Sequence, residues 1–78
     1  MNMINESITT RALIARINRK LKPDFEVLRK ARPASVTWVG EYFVVDLLRN
    51  AIVHQHVDPE SYGREIGVLG DFEVVAPG

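Results

Sequence analysis

The chain has 78 residues, which is enough for one domain but not two. A transmembrane helix needs about 20 consecutive apolar residues, and no apolar segment of this chain is close to that length. Cysteine is absent, which excludes disulfide bonds and thiolate metal ligands, and the net charge is zero. We therefore expect one small globular domain over residues 1–78, cytoplasmic and without a signal peptide, with residues 1–6 and 77–78 frayed.

The charge is unevenly distributed along the chain. Residues 1–32 hold eight basic and three acidic residues, a net charge of +5, and residues 33–78 hold two basic and seven acidic residues, a net charge of −5. Such asymmetry is typical of proteins with an acidic partner such as nucleic acid. It also fits a basic helix lying beside an acidic one, or two copies that pair head to tail.

The first predicted helix covers about residues 9–22. Its apolar residues recur at steps of three and four and form one stripe, consisting of Thr10, Leu13, Ile14, Ile17 and Leu21. Ser7, Thr9 and Thr10 are candidates for the N-cap. Pro23 ends the helix, because proline disfavours helical geometry at the preceding residue.

Two interpretations remain open for residues 24–35: a short helical turn that ends before Pro33, or an irregular segment that crosses the molecule. Residues 36–39 are β-branched or aromatic and predict a short strand.

Residues 42–57 form the longest apolar run and predict a β-hairpin. A three-residue loop at 48–50 would pair Leu47 with Ala51 and place Asn50 in the left-handed conformation that asparagine tolerates. Side chains alternate between the faces of a strand, so this loop predicts two faces. The inward face would hold Phe43, Val45, Leu47, Ala51, Val53, Gln55 and Val57. The outward face would hold Tyr42, Val44, Asp46, Ile52, His54 and His56.

A second helix is predicted over about residues 59–69, with Asp58 as N-cap, Pro59 in the first turn and Gly70 as a left-handed cap. Residues 72–76 predict a last strand. A right-handed crossover would place this strand beside 42–47. The expected fold is α+β, a two-layer sandwich in which helices 9–22 and 59–69 cover one face of a mainly antiparallel sheet made of hairpin 42–57 and strand 72–76.

Two arrangements in the hairpin have the residue types of a chemical site. His54 and His56 are two apart on a strand and point the same way, as zinc ligands do. The string His54-Gln55-His56-Val57-Asp58 resembles part of the metal-binding motif of metallo-β-lactamase-type hydrolases, which continues with a histidine where this chain has Pro59. A structural zinc site needs four protein ligands and a catalytic site usually three, and no third histidine exists, so we expect no bound metal or cofactor.

Asp46 shares the expected outward face with His54. A carboxylate beside an imidazole is a recurring general-base arrangement, but no nucleophile accompanies it here. A surface ion pair is the alternative, and an enzyme is the last of three functions considered.

The first function considered is a non-enzymatic binding or regulatory module that forms a homodimer. Its expected interaction surface is the outward sheet face, formed by Trp38, Tyr42, Val44, Asp46, Ile52, His54 and His56. Exposed apolar patches of this kind mark interaction sites.

The second function is nucleic-acid binding by the basic residues of the first 32 positions. These are Arg11, Arg16, Arg19, Lys20, Lys22, Arg29, Lys30 and Arg32.

Overall fold

Two separate sheets organise the part of the chain that the computed structural model describes, residues 6–76. The elements in chain order are β1 (Glu6–Thr9), α1 (Thr10–Leu21), β2 (Glu26–Lys30), α2 (Val36–Val39), β3 (Tyr42–Asp46), β4 (Ala51–His54), α3 (Pro59–Glu65) and β5 (Glu73–Ala76). Strands β2, β3 and β4 form an antiparallel sheet in that order, and β1 pairs with β5 in parallel. The predicted α+β class is confirmed. The fraying expected at 1–5 and 77–78 lies outside the described residues, whereas residue 6 already belongs to β1.

The helix α1 lies at the centre of the molecule, in contact with β1, β2, β5 and α3. Thr9 is its N-cap, and the Thr9 hydroxyl accepts a hydrogen bond from the Ala12 amide at 3.1 Å. Leu13, Ile17 and Leu21 are all buried, which confirms that the predicted stripe faces the core. They form one apolar cluster with Leu28, Val44 and Leu69.

The segment that the sequence left open contains β2. All five of its residues pair with β3, from Glu26 opposite Asp46 to Lys30 opposite Tyr42. Asn18 of α1 binds the far edge of this strand: its Oδ1 accepts from the Leu28 amide at 2.7 Å and its Nδ2 donates to the Leu28 carbonyl at 3.3 Å. A side-chain amide thus takes the place of a neighbouring strand and blocks the centre of this edge.

The turn of the hairpin differs from the prediction. Asp46 pairs with Ala51, so residues 47–50 form a four-residue turn rather than the expected three-residue loop. The Asp46 carboxylate stabilises it, because Oδ1 accepts from the amides of Leu48 and Arg49 at 2.9 and 3.1 Å. The left-handed conformation expected at Asn50 is confirmed, with φ of 54°.

A bulge in β4 then corrects the register. Val45 pairs with Ile52, but Val44 pairs with His54, which leaves Val53 as an extra residue. Val44 opposite His54 is the pairing that the three-residue loop predicted. The expected register is therefore wrong at the turn and right beyond the bulge.

On β3 the inward and outward faces are the reverse of those expected, whereas Ile52 of β4 lies outward as predicted. Val44 was placed outward, yet its side chain is 0% exposed and packs in the core beside its partner Leu28. Phe43 and Val45 were placed inward and instead lie on the face directed away from α1. The hairpin is apolar on both sides, so its own pattern does not determine which side is buried. The buried side is set by pairing with β2, because Val44 lies opposite Leu28 and Leu28 packs under α1.

Two elements differ from the prediction because of local backbone signals. Residues 36–39 form the helix α2 rather than a strand, since the 3-10 turn Pro33–Ser35 leads into it and Gly40, with φ of 81°, ends it. The helix α3 begins at Pro59 as predicted but ends at Glu65 instead of 69, because the left-handed glycine is Gly67 rather than Gly70. None of the helices within residues 6–76 has both the length and the apolar character to span a membrane.

The last strand occupies a different sheet from the one predicted. β5 pairs with β1, not with residues 42–47, and α3 packs mainly on α1, with Tyr62 also against His54 of β4. Glu73 holds β5 in place, because its carboxylate accepts from Arg16 Nη1 at 2.9 Å and from the Gly70 amide at 2.7 Å. Arg64 Nη2 donates to the Glu73 carbonyl at 2.9 Å. The prediction missed this arrangement because it treated residue 6 as frayed and so gave β5 no partner there.

The reversed faces lead to a test with one substitution at two adjacent positions. We expect Val44→Ala to lower the free energy of unfolding by about 2 kcal/mol, because it removes fully buried carbon and leaves a cavity. Val45→Ala should cost no more than about 1 kcal/mol, since Val45 is only partly buried. Urea denaturation of dilute protein measures both, and a larger cost at Val45 would contradict the assignment.

The Glu73 contacts predict a dependence of stability on pH. Hydrogen bonds from the Gly70 amide and then from Arg16 hold the pKa of Glu73 below its ordinary value. The carboxylate therefore stabilises the fold above the unfolded-state pKa, and this contribution is lost as the pH falls through the lower folded-state pKa. We expect Glu73→Gln to be less stable than the wild type at neutral pH, with the difference shrinking in acid. Thermal melts of both proteins from neutral to acidic pH measure this difference in stability, and Glu41→Gln is the control at an exposed carboxylate. A difference in stability that is equal at every pH would contradict the prediction.

Candidate functional site

The face of the three-stranded sheet that points away from α1 is apolar, and we call it the outer face. Val27, Val45 and Ile52 form a row across it, because Val45 pairs directly with both of the others. Phe43 lies in the next row, opposite Arg29. Ile52 is 43% exposed and Val53 of the bulge is 38% exposed. The helix α1 packs on the opposite side of the sheet, against Leu28 and Val44, so within residues 6–76 it does not cover the outer face.

At one end the outer face continues into an apolar groove of about 440 Å³ between the sheet and the end of α1. Phe25, Val27 and Leu47 provide its apolar wall, and Asn18, Lys22 and Glu26 complete the lining. The Leu47 amide donates to the Phe25 carbonyl at 2.8 Å, which extends the β2–β3 pairing by one step. Phe25 is 54% and Leu47 50% exposed, so two large apolar side chains stand in solvent at this end.

Phe25 also has a strained backbone. It adopts the left-handed conformation, with φ of 58° and ψ of 37°, where the 3-10 turn Lys22–Asp24 gives way to β2. A bulky residue at positive φ is rare, because its Cβ approaches the backbone too closely. The backbone strain at Phe25 costs stability, and burial of a ring that is half exposed offsets only part of that cost.

The structure disperses the residues of the interaction surface expected from the sequence. Ile52 lies on the outer face, and Trp38 is 75% exposed on α2. Val44 is buried, and Tyr42 packs partly buried against the same core, so neither belongs to an outward surface. Asp46 and His54 lie on the sheet side that holds Val44, opposite Ala51 and Val44 respectively.

The two histidines occupy different surroundings. The His54 ring lies against Tyr62 of α3, with ring centroids 5.9 Å apart. His56 has a φ of 52° and donates its amide to the Val39 carbonyl at 2.7 Å, so it has left the extended conformation that would align it with His54. Among the described residues no group of three or more histidine, aspartate and glutamate side chains has the geometry to hold a metal ion.

The acid–base arrangement does not form either. The Asp46 carboxylate is occupied by the turn amides and lies 3.8 Å from Arg49 Nε. His54, Asp58, Ser61 and Tyr62 line a groove beside α3, in which the Ser61 hydroxyl donates to the Asp58 carboxylate at 2.9 Å. Burial, followed by the charges of Glu26, Glu65 and Asp24, raises the pKa of the Tyr62 phenol, which disfavours the phenolate. The groove beside α3 therefore contains no activated nucleophile among the described side chains.

The basic residues of the first 32 positions separate into several groups. Arg16 is held by Glu73 and the Val68 carbonyl. Arg19 and Lys20 lie on the exposed side of α1, next to Arg16 and Val68. Arg11 and Lys30, from α1 and β2, line one groove with Thr10, Ile14 and Tyr42. Lys22 lies at the apolar groove and Arg29 on the outer face, while Arg32 is exposed before α2.

Comparison with known proteins yields no relationship: no protein-family model matches the chain, and searches of curated proteins and of solved structures return no significant match.

The strain at Phe25 has a measurable consequence. Phe25→Gly and Phe25→Ala remove the same ring, but only glycine adopts positive φ without steric cost. We expect the glycine variant to be more stable than the alanine variant by about 1 kcal/mol, in spite of the greater entropy of its unfolded chain. Chemical denaturation of both variants measures the difference, and an alanine variant of equal or greater stability would show that the position is unstrained.

Proposed function

We propose that the protein is a small non-enzymatic binding or regulatory module that self-associates by packing the outer face of one copy against the outer face of another. The observation that supports this most directly is the sheet itself, which is apolar on both sides while α1 covers only one of them. A sheet with two apolar faces requires cover on both, as in sheets enclosed by two layers.

A second copy suits this face by its chemistry. The row Val27, Val45 and Ile52 and the neighbouring Phe43 present β-branched and aromatic side chains, which pack face to face between sheets about 10 Å apart. Arg29 is the charged side chain paired into these rows, so the face carries little charge to select an acidic or basic partner. A surface of this kind is complementary to itself, and two copies related by a twofold axis would each provide the cover the other lacks.

The exposed ring of Phe25 and the side chain of Leu47 extend the same surface, and the groove between them offers a recess for an apolar side chain of the partner. Stable dimers bury about 800 Å² from each partner, and the strands of the outer face are only four or five residues long, so we expect a micromolar rather than nanomolar dissociation constant. The sequence also predicts a cytoplasmic location, and we include that location in the proposal.

Sedimentation velocity over a concentration series tests the proposal. We expect the wild type to pass from monomer to dimer through the micromolar range, and Val45→Lys and Ile52→Lys to remain monomeric, because each buries a charge in the proposed interface. Leu48→Lys is the matched control: Leu48 is 74% exposed but lies in the hairpin turn, outside the outer face, so this variant should dimerise like the wild type.

Two results would contradict the proposal: a wild type that stays monomeric at high micromolar concentration, or a Leu48→Lys variant that dissociates as readily as the outer-face variants. Because the chain has no cysteine, Ile52→Cys and Leu48→Cys each introduce a unique thiol. A short bismaleimide should link the first into dimers and the second much less, which keeps the test valid if a lysine variant fails to fold.

A further inference from the structure

A groove at the other end of the α1–β2 contact is lined by two cations and an aromatic ring. Arg11 and Ile14 of α1 form one wall and Lys30 and Tyr42, which are paired across β2 and β3, form the other. The space between them is about 470 Å³, which is larger than a phosphate ion needs and large enough for one nucleotide.

The two cations of this groove are available for a ligand. The ion pairs among the described side chains are made by Arg16, Arg49 and Arg64, and none of them involves Arg11 or Lys30. Both residues are exposed, and no carboxylate among the described side chains lines the groove. Two like charges brought to one groove from separate elements raise the local positive potential, which an anion would lower.

The third component is apolar. Tyr42 and Ile14 are partly buried and pack against the core, so the positions of their exposed surfaces are fixed. A cationic groove with an aromatic wall is the arrangement by which proteins hold single-stranded nucleic acid: cations contact the phosphates and a base stacks on the ring. Duplex nucleic acid keeps its base faces inside the stack and would leave Tyr42 unused.

We propose that the Arg11–Lys30–Tyr42 groove binds single-stranded nucleic acid, with phosphates held by Arg11 and Lys30 and one base against Tyr42. This site lies on the α1 side of the sheet, away from the outer face, and does not depend on self-association. Of the basic residues that the sequence associated with nucleic acid, it selects two and assigns the others no direct contact.

Fluorescence anisotropy of a labelled oligothymidine, titrated with the full chain over a salt series, tests this. We expect Arg11→Ala/Lys30→Ala to weaken binding at least tenfold and to reduce the slope of log K against log salt by about 1.4, because two phosphate contacts are lost. Arg19→Ala/Lys20→Ala removes the same charge from α1 outside the groove and should change affinity by less than about threefold. Tyr42→Phe should bind like the wild type, since the ring is kept.

Three outcomes would overturn the proposal. One is the absence of oligothymidine binding by the wild type at low salt. Another is an equal loss in the two double variants, which would show diffuse attraction rather than a site. The third is failure of either competition control: stronger binding of a duplex of the same length, or complete displacement of the oligothymidine by inorganic phosphate at the same concentration as the oligothymidine. Either result would show that the ring holds no base. The Val45→Lys variant should bind the oligonucleotide normally, so failure of this site and failure of the dimer are distinguished.

Discussion

The packing of α1 on β2 is the interaction on which the rest of the structure depends. Leu13, Ile17 and Leu21 meet Leu28 and Val44 in a dry cluster, and the Asn18 amide fixes the helix to the edge of the strand through both backbone groups of Leu28. Burial supplies the stabilisation and the two hydrogen bonds supply the alignment, because a slip of one residue along β2 would leave both Leu28 groups unsatisfied.

This alignment determines where every other surface lies. The helix runs opposite to β2, so its first turn meets Lys30 and its last turn meets Phe25. One end of the contact is consequently a cationic groove and the other an apolar one. Glu26 lines the apolar end, and no described carboxylate lines the other, which explains how a chain of zero net charge has a groove lined by two cations.

The same packing leaves the opposite side of the sheet uncovered. The twelve-residue helix α1 packs on one face of the sheet, mainly over β2 and Val44, and α3 packs on the same side, with Gly63 beside Leu13 and Tyr62 beside His54. The second apolar side, with its strained and half-exposed Phe25, therefore makes little contribution to the monomer. A domain of this size buries a smaller fraction of its surface on folding than a larger domain does, and the proposed second copy would increase that fraction.

The sequence by itself determined the elements whose signals are local. The helical spacing of Leu13, Ile17 and Leu21, the left-handed conformation of Asn50 and the start of α3 at Pro59 all follow from short-range preferences, and the structure confirms them. The residues of the outer face also alternate at the spacing of a strand, namely Phe25 and Val27 in one segment and Phe43, Val45 and Leu47 in another. This spacing shows which residues share a face but not that the face is directed away from α1. The alternation of Phe25 and Val27 is also the sequence signal for β2.

Only the tertiary structure decided which side of the hairpin is buried. Tyr42 and Val44 on one side are about as apolar as Phe43 and Val45 on the other, so the residue types do not determine which pair is buried. The inner side also holds the polar residues Asp46 and His54, and these contact the Leu48 amide and the Tyr62 ring at the edge of the sheet. The outcome was set by Leu28, more than a dozen residues away in the chain, once α1 had covered it. Likewise the position of β5 beside β1 depends on a contact between residues far apart in the chain, because Arg16 binds the Glu73 carboxylate 57 residues away. Period-two patterns show which residues share a face, but which face is buried depends on what packs against it.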